Sequence, residues 1–392
     1  MVNHYAGLPD EPSGARHYWL AQGLSALGWD VRLIRSGSVG GHLRRLHVEV
    51  AGGIEVTTIR GKGKQARGVR RLLDWAGFSL SLLDPSVTRH LPNPHIVLGS
   101  TVHLGAAWAA RGLARRHRAR FIFEVRDLWP ETLIALGALR RNSLSARAMA
   151  RLEGSLAHSA DLIVSPLAGV GRYMEARHHV PEENFRWISN GVHTDYYNRL
   201  SPPVDGPLRL QYFGALGTAN DVELIIEAVS KANEELDEPV HLQIRGEGPC
   251  REQLLSRVVN EPGMNETVTF EPAIPSNQVP SAMAWGNALV VTVRDLPELY
   301  QYGIAMNKLF DYLASGRWIV MASDVSENPI AMAPGLTLCK PSVDELAGVI
   351  VKLAGTSAEE RNSLAAGNSL IARERFDYHV LAADLAMSLE DL

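Results

Sequence analysis

The run GIAMNKLFDYLASG (303–316), followed after Arg317 by WIVMAS (318–323), reads as a glycine-containing loop, a short amphipathic helix stopped by Gly316, and an apolar strand. Lys308 and Asp311 are three residues apart, hence neighbours on one face near the start of that helix. A cation at this end opposes the helix dipole, so Lys308 is unfavourable there unless an anion lies close by. A carboxylate one turn further on suits the acceptance of hydroxyl hydrogens, as in ribose recognition. The alternative is an exposed ion pair between the two, worth roughly a few tenths of a kcal/mol.

The same strand-and-helix alternation extends in both directions. Towards the C-terminal half it gives LRLQYFG, VHLQIRG, VTFEP, ALVVTV and LTLCK as strands. Towards the N-terminal half it gives VRLIRS (31–36), IEVTTIR (54–60), HIVLGST (95–101), RFIFEVRD (120–127), DLIVSP (161–166) and FRWISNG (185–191). Helical patterns lie between most of them, at Ala15–Leu27, Leu104–Arg116, Leu144–His158 and Gly169–Arg177. Near-continuous apolar strands separated by amphipathic helices predict parallel sheets covered on both faces. The first strand is reduced to the stub MVNHY, so it is short or the chain has lost a few residues.

The cluster SPPVDGP (201–207) punctuates this series, and the charge changes sign there. Residues 1–200 carry 26 Lys and Arg against 16 Asp and Glu, a net of +10; residues 201–392 carry 13 against 27, a net of −14. The predicted architecture is therefore α/β, two doubly wound, Rossmann-like parallel-sheet domains facing across a cleft, at 1–200 and 201–376. A last helix at 377–392 could return to the first domain. The basic half suits anionic lipid, a pyrophosphate or nucleic acid.

Across 392 residues, 46% are hydrophobic and 21% charged, which excludes a disordered, collagen-like or coiled-coil chain. Two cysteines, Cys250 and Cys339, make neither a disulfide framework nor a four-ligand zinc site, and a reducing, cytoplasmic setting is expected. No signal peptide opens the sequence, and the uncharged stretches 90–110 and 272–293 read as strand plus helix rather than membrane spans.

Ligands of doubly wound sheets sit beyond the carboxyl ends of the strands. Gly14, between the first strand and first helix, would let main-chain N–H groups approach an anion, or is part of an ordinary turn. Arg245-Gly246-Glu247-Gly248-Pro249 follows a strand, but no third glycine has the dinucleotide spacing, so a nicotinamide cofactor is not supported. Arg126 and Asp127 end a buried strand, where charge is costly unless paired or facing ligand. His103 and Asn190 also stand at strand ends; a lone histidine there is more often structural than a sugar contact, and His42 in GGHLRR is read the same way.

Lys62, Lys64, Arg67, Arg70 and Arg71 precede or open an amphipathic pattern with Val69, Leu72, Leu73, Ala76, Leu80 and Leu83 on one face, broadened by Trp75 and Phe78. Five cations at the positive end of a helix do not help it fold. An anionic membrane surface accounts for them, as does a core helix with a solvated flank. Nucleic acid fits less well, since no interleaved aromatic platform accompanies the charge.

The segment MNKLFDYLASGRWIV resembles the PNKLFDYMAAGKPVI-type segment of family-4 retaining glycosyltransferases. GARHYWLAQGLSALGWDVRLI, EVRDLWPETL, DLIVSP, WISNGVHTDYY, LQYFGALG and IRGEGPCREQL are similar to further family stretches, in the expected order, over about nine tenths of the chain. SGSVGGHLRR and EVRDLWPE point to the branch of N-acetylfucosaminyl- and N-acetylhexosaminyltransferases that builds bacterial surface polysaccharides. The resemblance implies the GT-B fold and a hexosyltransferase acting with retention. It also implies no metal and no cofactor other than the nucleotide-sugar substrate, with UDP as its nucleotide and a lipid-linked saccharide as acceptor at the inner face of the plasma membrane.

On this reading Lys308, Asp127, Arg126 and His103 carry the chemistry. Gly14, Asn190, Gly214, Arg245, Gly246, Glu247, Arg294, Gly303, Ile304, Ala305, Met306, Asn307 and Asp311 bind the donor. The sequence departs from the family at Gly303, where a glutamate eight residues before the acidic Asp311 is usual, and the GALGTAND loop (214–221) lacks the usual phosphate-clamping Arg and Lys. Lys308, Arg245 and Arg294 are the cations left for the cleft. A nucleotide-sugar 2-epimerase and a non-catalytic nucleotide-sugar-binding scaffold share the architecture.

Overall fold

The structure, a computed structural model, describes residues 1–392 apart from 12–13, 40–44, 63–67, 202, 204–205 and 295. The described residues form thirteen strands. Those of the N-terminal half are β1 (Arg32–Gly37), β2 (Leu46–Ala51), β3 (Ile54–Arg60), β4 (Ile96–Ser100), β5 (Arg120–Glu124), β6 (Leu162–Ser165) and β7 (Phe185–Trp187). Those of the C-terminal half are β8 (Arg209–Phe213), β9 (His241–Arg245), β10 (Val268–Glu271), β11 (Ala288–Thr292), β12 (Trp318–Ala322) and β13 (Leu336–Cys339).

In the C-terminal sheet all six strands run parallel in the order β10-β9-β8-β11-β12-β13. The chain thus reverses direction of growth between β8 and β11, and a crevice opens outside the strand ends at such a reversal. These two strands pair only at Leu210–Ala288 and Gln211–Leu289. Beyond that point the Tyr312 hydroxyl occupies the widening gap, accepting from Phe213 N at 2.9 Å and donating to Val290 O at 3.5 Å. Buried main-chain groups require partners; here a side chain supplies what the ladder gives up.

The N-terminal sheet follows the same logic in two pieces, β1-β3-β2 and β4-β5-β6-β7. Val2 joins them, bridging in parallel to Ile34 on one side and Gly99 on the other. The short first strand is therefore the centre of the sheet. β2 was not anticipated: it pairs antiparallel with β3 through Gly52-Gly53, both at positive φ. The signal was present, since two glycines between alternating apolar runs are a hairpin turn.

Helix Tyr378–Glu390 lies against helix Arg16–Ala26, its Leu381, Ala382, Leu385 and Leu389 sharing a core with Leu20 and Leu24. The chain passes between the domains twice. Val192 N donates to Phe376 O at 2.9 Å and Tyr378 N to Val192 O at 3.2 Å, so the two crossings pair with each other.

Candidate functional site

A cavity of about 730 Å³ opens between the domains at the β8/β11 reversal. Helix Asn307–Ala314 enters it with Lys308 and Asp311, each bonded to other partners, so the exposed ion pair between them does not form. Lys308 Nζ donates to Tyr212 Oη at 2.7 Å and to Asn220 Oδ1 at 2.9 Å, and it lies 4.2 Å from the centre of the Tyr212 ring. Both partner residues are neutral. Burial pulls the Lys308 amine down to about 7, because a cation loses hydration there without gaining a counter-charge. Asp311 accepts from Tyr197 Oη at 2.8 Å, and burial raises its carboxyl to about 7 against that bond.

Glycines set the wall opposite Lys308. A Cβ on Gly214 would stand 2.9 Å from Lys308 Cε and Nζ, and the backbone there has φ +144°. A Cβ on Gly246 would meet Gly214 O at 1.8 Å. Gly214 N donates to Arg245 O and Leu216 N to Glu247 O, so the loops after β8 and β9 are zipped together main chain to main chain. The glycine at 246 answers first to this loop contact. From the other domain Gly14 closes in, where a Cβ would come within 2.7 Å of Asn307 Nδ2.

Of the residues singled out in the sequence, Gly14, Gly214, Arg245, Gly246, Glu247, Met306, Asn307, Lys308 and Asp311 line this cavity. The Arg245 guanidinium is 3.6 Å from Glu271 and donates to Pro272 O at 3.3 Å. Asn190, Gly303, Ile304, Ala305, Arg294, Arg126, Asp127 and His103 are outside the lining. Asn190 Nδ2 donates to Ala305 O at 2.6 Å, tying the domains together. Gly303 has φ +104°, and the Ile304 side chain is buried in the second domain's core, so any ligand contact from it would be main-chain only. Arg294 is exposed, and Arg126 N donates to Thr101 Oγ1.

His103 caps helix Leu104–His117, its Nδ1 accepting from Ala106 N at 3.2 Å. Its ring stacks on Trp75 at 4.7 Å, and burial beside His4 holds it neutral, at about 3. Tyr212, Tyr197, Asn220 and Tyr312 were missed in the sequence. Each lies within or beside a stretch already marked as a strand end, loop or helix, but only the fold brings Tyr212 and Asn220 to Lys308, Tyr197 to Asp311 and the Tyr312 hydroxyl between the splayed strands. Among the described residues, no group of three His, Cys, Asp or Glu side chains could hold a metal ion.

The helix Val69–Leu83 corrects one expectation. Phe78 and Leu82 are buried in the domain core, and Trp75 turns inward, donating from Nε1 to Tyr5 Oη at 2.8 Å. Phe78 therefore cannot meet a membrane, because that face packs on helix Leu104–His117. The opposite face is the exposed one: Val69, Leu72, Leu73 and Leu80 are 58–73% exposed, with Arg70 and Arg71 beside them. Lys62 is exposed; Lys64, Arg67 and His42 lie outside the described residues. No described helix is long and apolar enough to cross a membrane.

Residues 13–191 match the Glycosyl transferase 4-like domain, somewhat less than half of the chain. No curated protein matches the sequence. Among solved structures the chain is similar to sucrose-phosphate synthase from Thermosynechococcus elongatus, with TM-score 0.72, 14% identity, and 98% of this chain and 97% of that one covered. It is similar to Anabaena HepE in complex with UDP-glucose, with TM-score 0.68, 15% identity and 98% of each chain covered. It is also similar to WaaG, a glycosyltransferase involved in lipopolysaccharide biosynthesis, with TM-score 0.61, 17% identity and 94% of each chain covered. At these identities the likeness establishes the fold, which is GT-B.

Proposed function

We propose that the protein is a retaining glycosyltransferase that moves a hexose, an N-acetyl sugar, from a UDP-linked donor to a lipid-linked saccharide. The setting is bacterial surface-polysaccharide synthesis, O-antigen or capsule. The observation that carries this reading is Lys308: a cation in an interdomain cavity with only neutral partners has a charge left to give to a ligand. HepE, of the same fold, is a structure with UDP-glucose bound, and the match at 13–191 is to a glycosyl transferase domain.

The donor's diphosphate would lie against Lys308 and the loop of Gly214, its ribose at Asp311, its base beside Arg245–Glu247. As the anomeric bond breaks, negative charge gathers on the leaving diphosphate. Lys308 and main-chain amides fixed beforehand would stabilise that charge without reorganising, and no metal ion is invoked. The leaving phosphate oxygen would take the acceptor's proton on the same face of the sugar. Closure about the cleft would exclude water and so limit hydrolysis of the donor.

The acceptor would arrive over the basic first domain. The solvent-facing stripe of Val69, Leu72, Leu73 and Leu80, bordered by Arg70 and Arg71, fits a helix lying in the headgroup region of an anionic membrane. This would make the protein peripheral at the inner face of the plasma membrane. Calorimetry with UDP and UDP-N-acetylglucosamine tests the donor: micromolar binding that Lys308→Ala removes is expected, and absence of heat with either overturns the reading. Sedimentation with vesicles tests the surface: Leu72→Ser with Leu73→Ser should abolish retention on phosphatidylglycerol vesicles. Equal retention on neutral vesicles defeats it.

A further inference from the structure

Glu153 lies on helix Leu144–His158, 1% exposed, and plays no part in the cavity described above. Both its oxygens are in use. Oε1 accepts from Trp129 N at 2.8 Å; Oε2 accepts from Tyr173 Oη at 2.7 Å and from His178 Nε2 at 2.8 Å. A buried carboxylate is costly unless it is fully bonded. These three donors offset part of that cost, and burial still raises the Glu153 carboxyl above its ordinary value.

Two of the three lead towards the cleft. Trp129 belongs to the loop that carries Arg126 and Asp127. Tyr173 leads across the domain boundary: its ring meets Tyr302 edge to face at 5.1 Å. Beside it Gly169 N donates to Tyr302 O at 3.0 Å, and a Cβ on Gly169 would stand 2.8 Å from Tyr302 Cα. Tyr302 immediately precedes Gly303–Met306, the segment that leads into the helix of Lys308. That segment is held at its other end by Asn190 on Ala305 O.

We propose that Glu153 is a positioning residue that sets the Tyr302–Met306 segment, and through it Lys308, against the loop of Arg126 and Asp127. The first domain thereby fixes where the second presents its cation. The donor part of this inference rests on the function proposed above; the coupling itself does not. Were Glu153 there only to cap Trp129 and His178, Tyr302 on the far side of the boundary would be indifferent to it.

The test uses the full chain with Glu153→Gln, Tyr173→Phe, Tyr302→Ala and Tyr302→Phe. In the unliganded protein, amide exchange over residues 303–309 should quicken at least fivefold in Glu153→Gln, Tyr173→Phe and Tyr302→Ala, and not in Tyr302→Phe, which keeps the ring. With UDP as probe, Glu153→Gln and Tyr302→Ala should each weaken binding at least fivefold. The double variant should be no weaker than the worse single one, as expected of residues acting in one chain of contacts. Unchanged exchange at 303–309, or multiplicative losses in the double variant, overturns the proposal. If Glu153→Gln does not fold, Tyr173→Phe and Tyr302→Ala carry the same test. Faster exchange in a protein that binds no UDP would leave the coupling standing and remove the donor reading alone.

Discussion

Each domain buries basic side chains, and the two treat them in opposite ways. In the first domain Arg16, His17 and Glu124 are 1–3% exposed and joined to one another: Arg16 Nε lies 3.1 Å from Glu124, and His17 Nε2 2.5 Å from it. Arg16 also donates to the carbonyls of Ile188 and Ser189. Burial works against the Glu124 charge, yet His17 and Arg16 hold its carboxyl well below the usual range. In the second domain Lys308 has tyrosine and asparagine for company, and its amine falls to about 7. Charge that is matched inside the chain serves the fold. Charge that is left unmatched at a cavity is available to something that binds there.

The contrast can be broken most forcefully in the first domain. Glu124→Leu strands two buried basic groups and should cost roughly 3–5 kcal/mol, read by urea unfolding; a loss below about 1 kcal/mol would mean the network is dispensable. In the second domain the corresponding change goes the other way. Lys308→Met removes an unmatched cation, so the unfolding midpoint should hold or rise by a few degrees while UDP affinity drops about a hundredfold, near 2.7 kcal/mol.

Acidity sharpens the comparison further. A bound anion raises the Lys308 pKa above its free value near 7. Above pH 7 binding therefore takes up protons and UDP affinity should fall towards tenfold per unit, while below it protonation of Asp311, whose carboxyl also lies near 7, takes away the ribose acceptor and weakens binding again. Calorimetry in two buffers of different ionisation enthalpy checks the proton count; a pH-independent affinity would show that Lys308 does not face the ligand. The smallest effect is expected at the splayed strands. Tyr312→Phe leaves Phe213 N and Val290 O without their bridge and should cost about 1–2 kcal/mol, with little change in UDP affinity.

Much of this was legible in the sequence because the strands are buried on both faces and read as plain apolar runs. The cation's place in the cavity was legible too, since Lys308 at a helix start opposes the dipole preference and stands out on that ground. What escaped depends on distance in space. Tyr212 and Asn220 are 96 and 88 residues from Lys308 in the chain, and no local pattern says they will meet it. The helix at 69–83 shows a subtler limit. Its periodicity revealed an apolar stripe, but Trp75 and Phe78 turned out to serve the core while Leu72 and Leu73 face solvent. Periodicity gives the faces of a helix; neighbouring elements decide which face is covered.

The paired crossings at Val192 and Phe376–Tyr378, with Thr194 bound to Asp377 through both N–H and hydroxyl, act like a door hung on two pins. Such a mounting permits swing about one line and resists twist or sideways drift. A single backbone cut in either crossing would leave the lobes attached by the other, so a nicked molecule should sediment as one particle until it is unfolded.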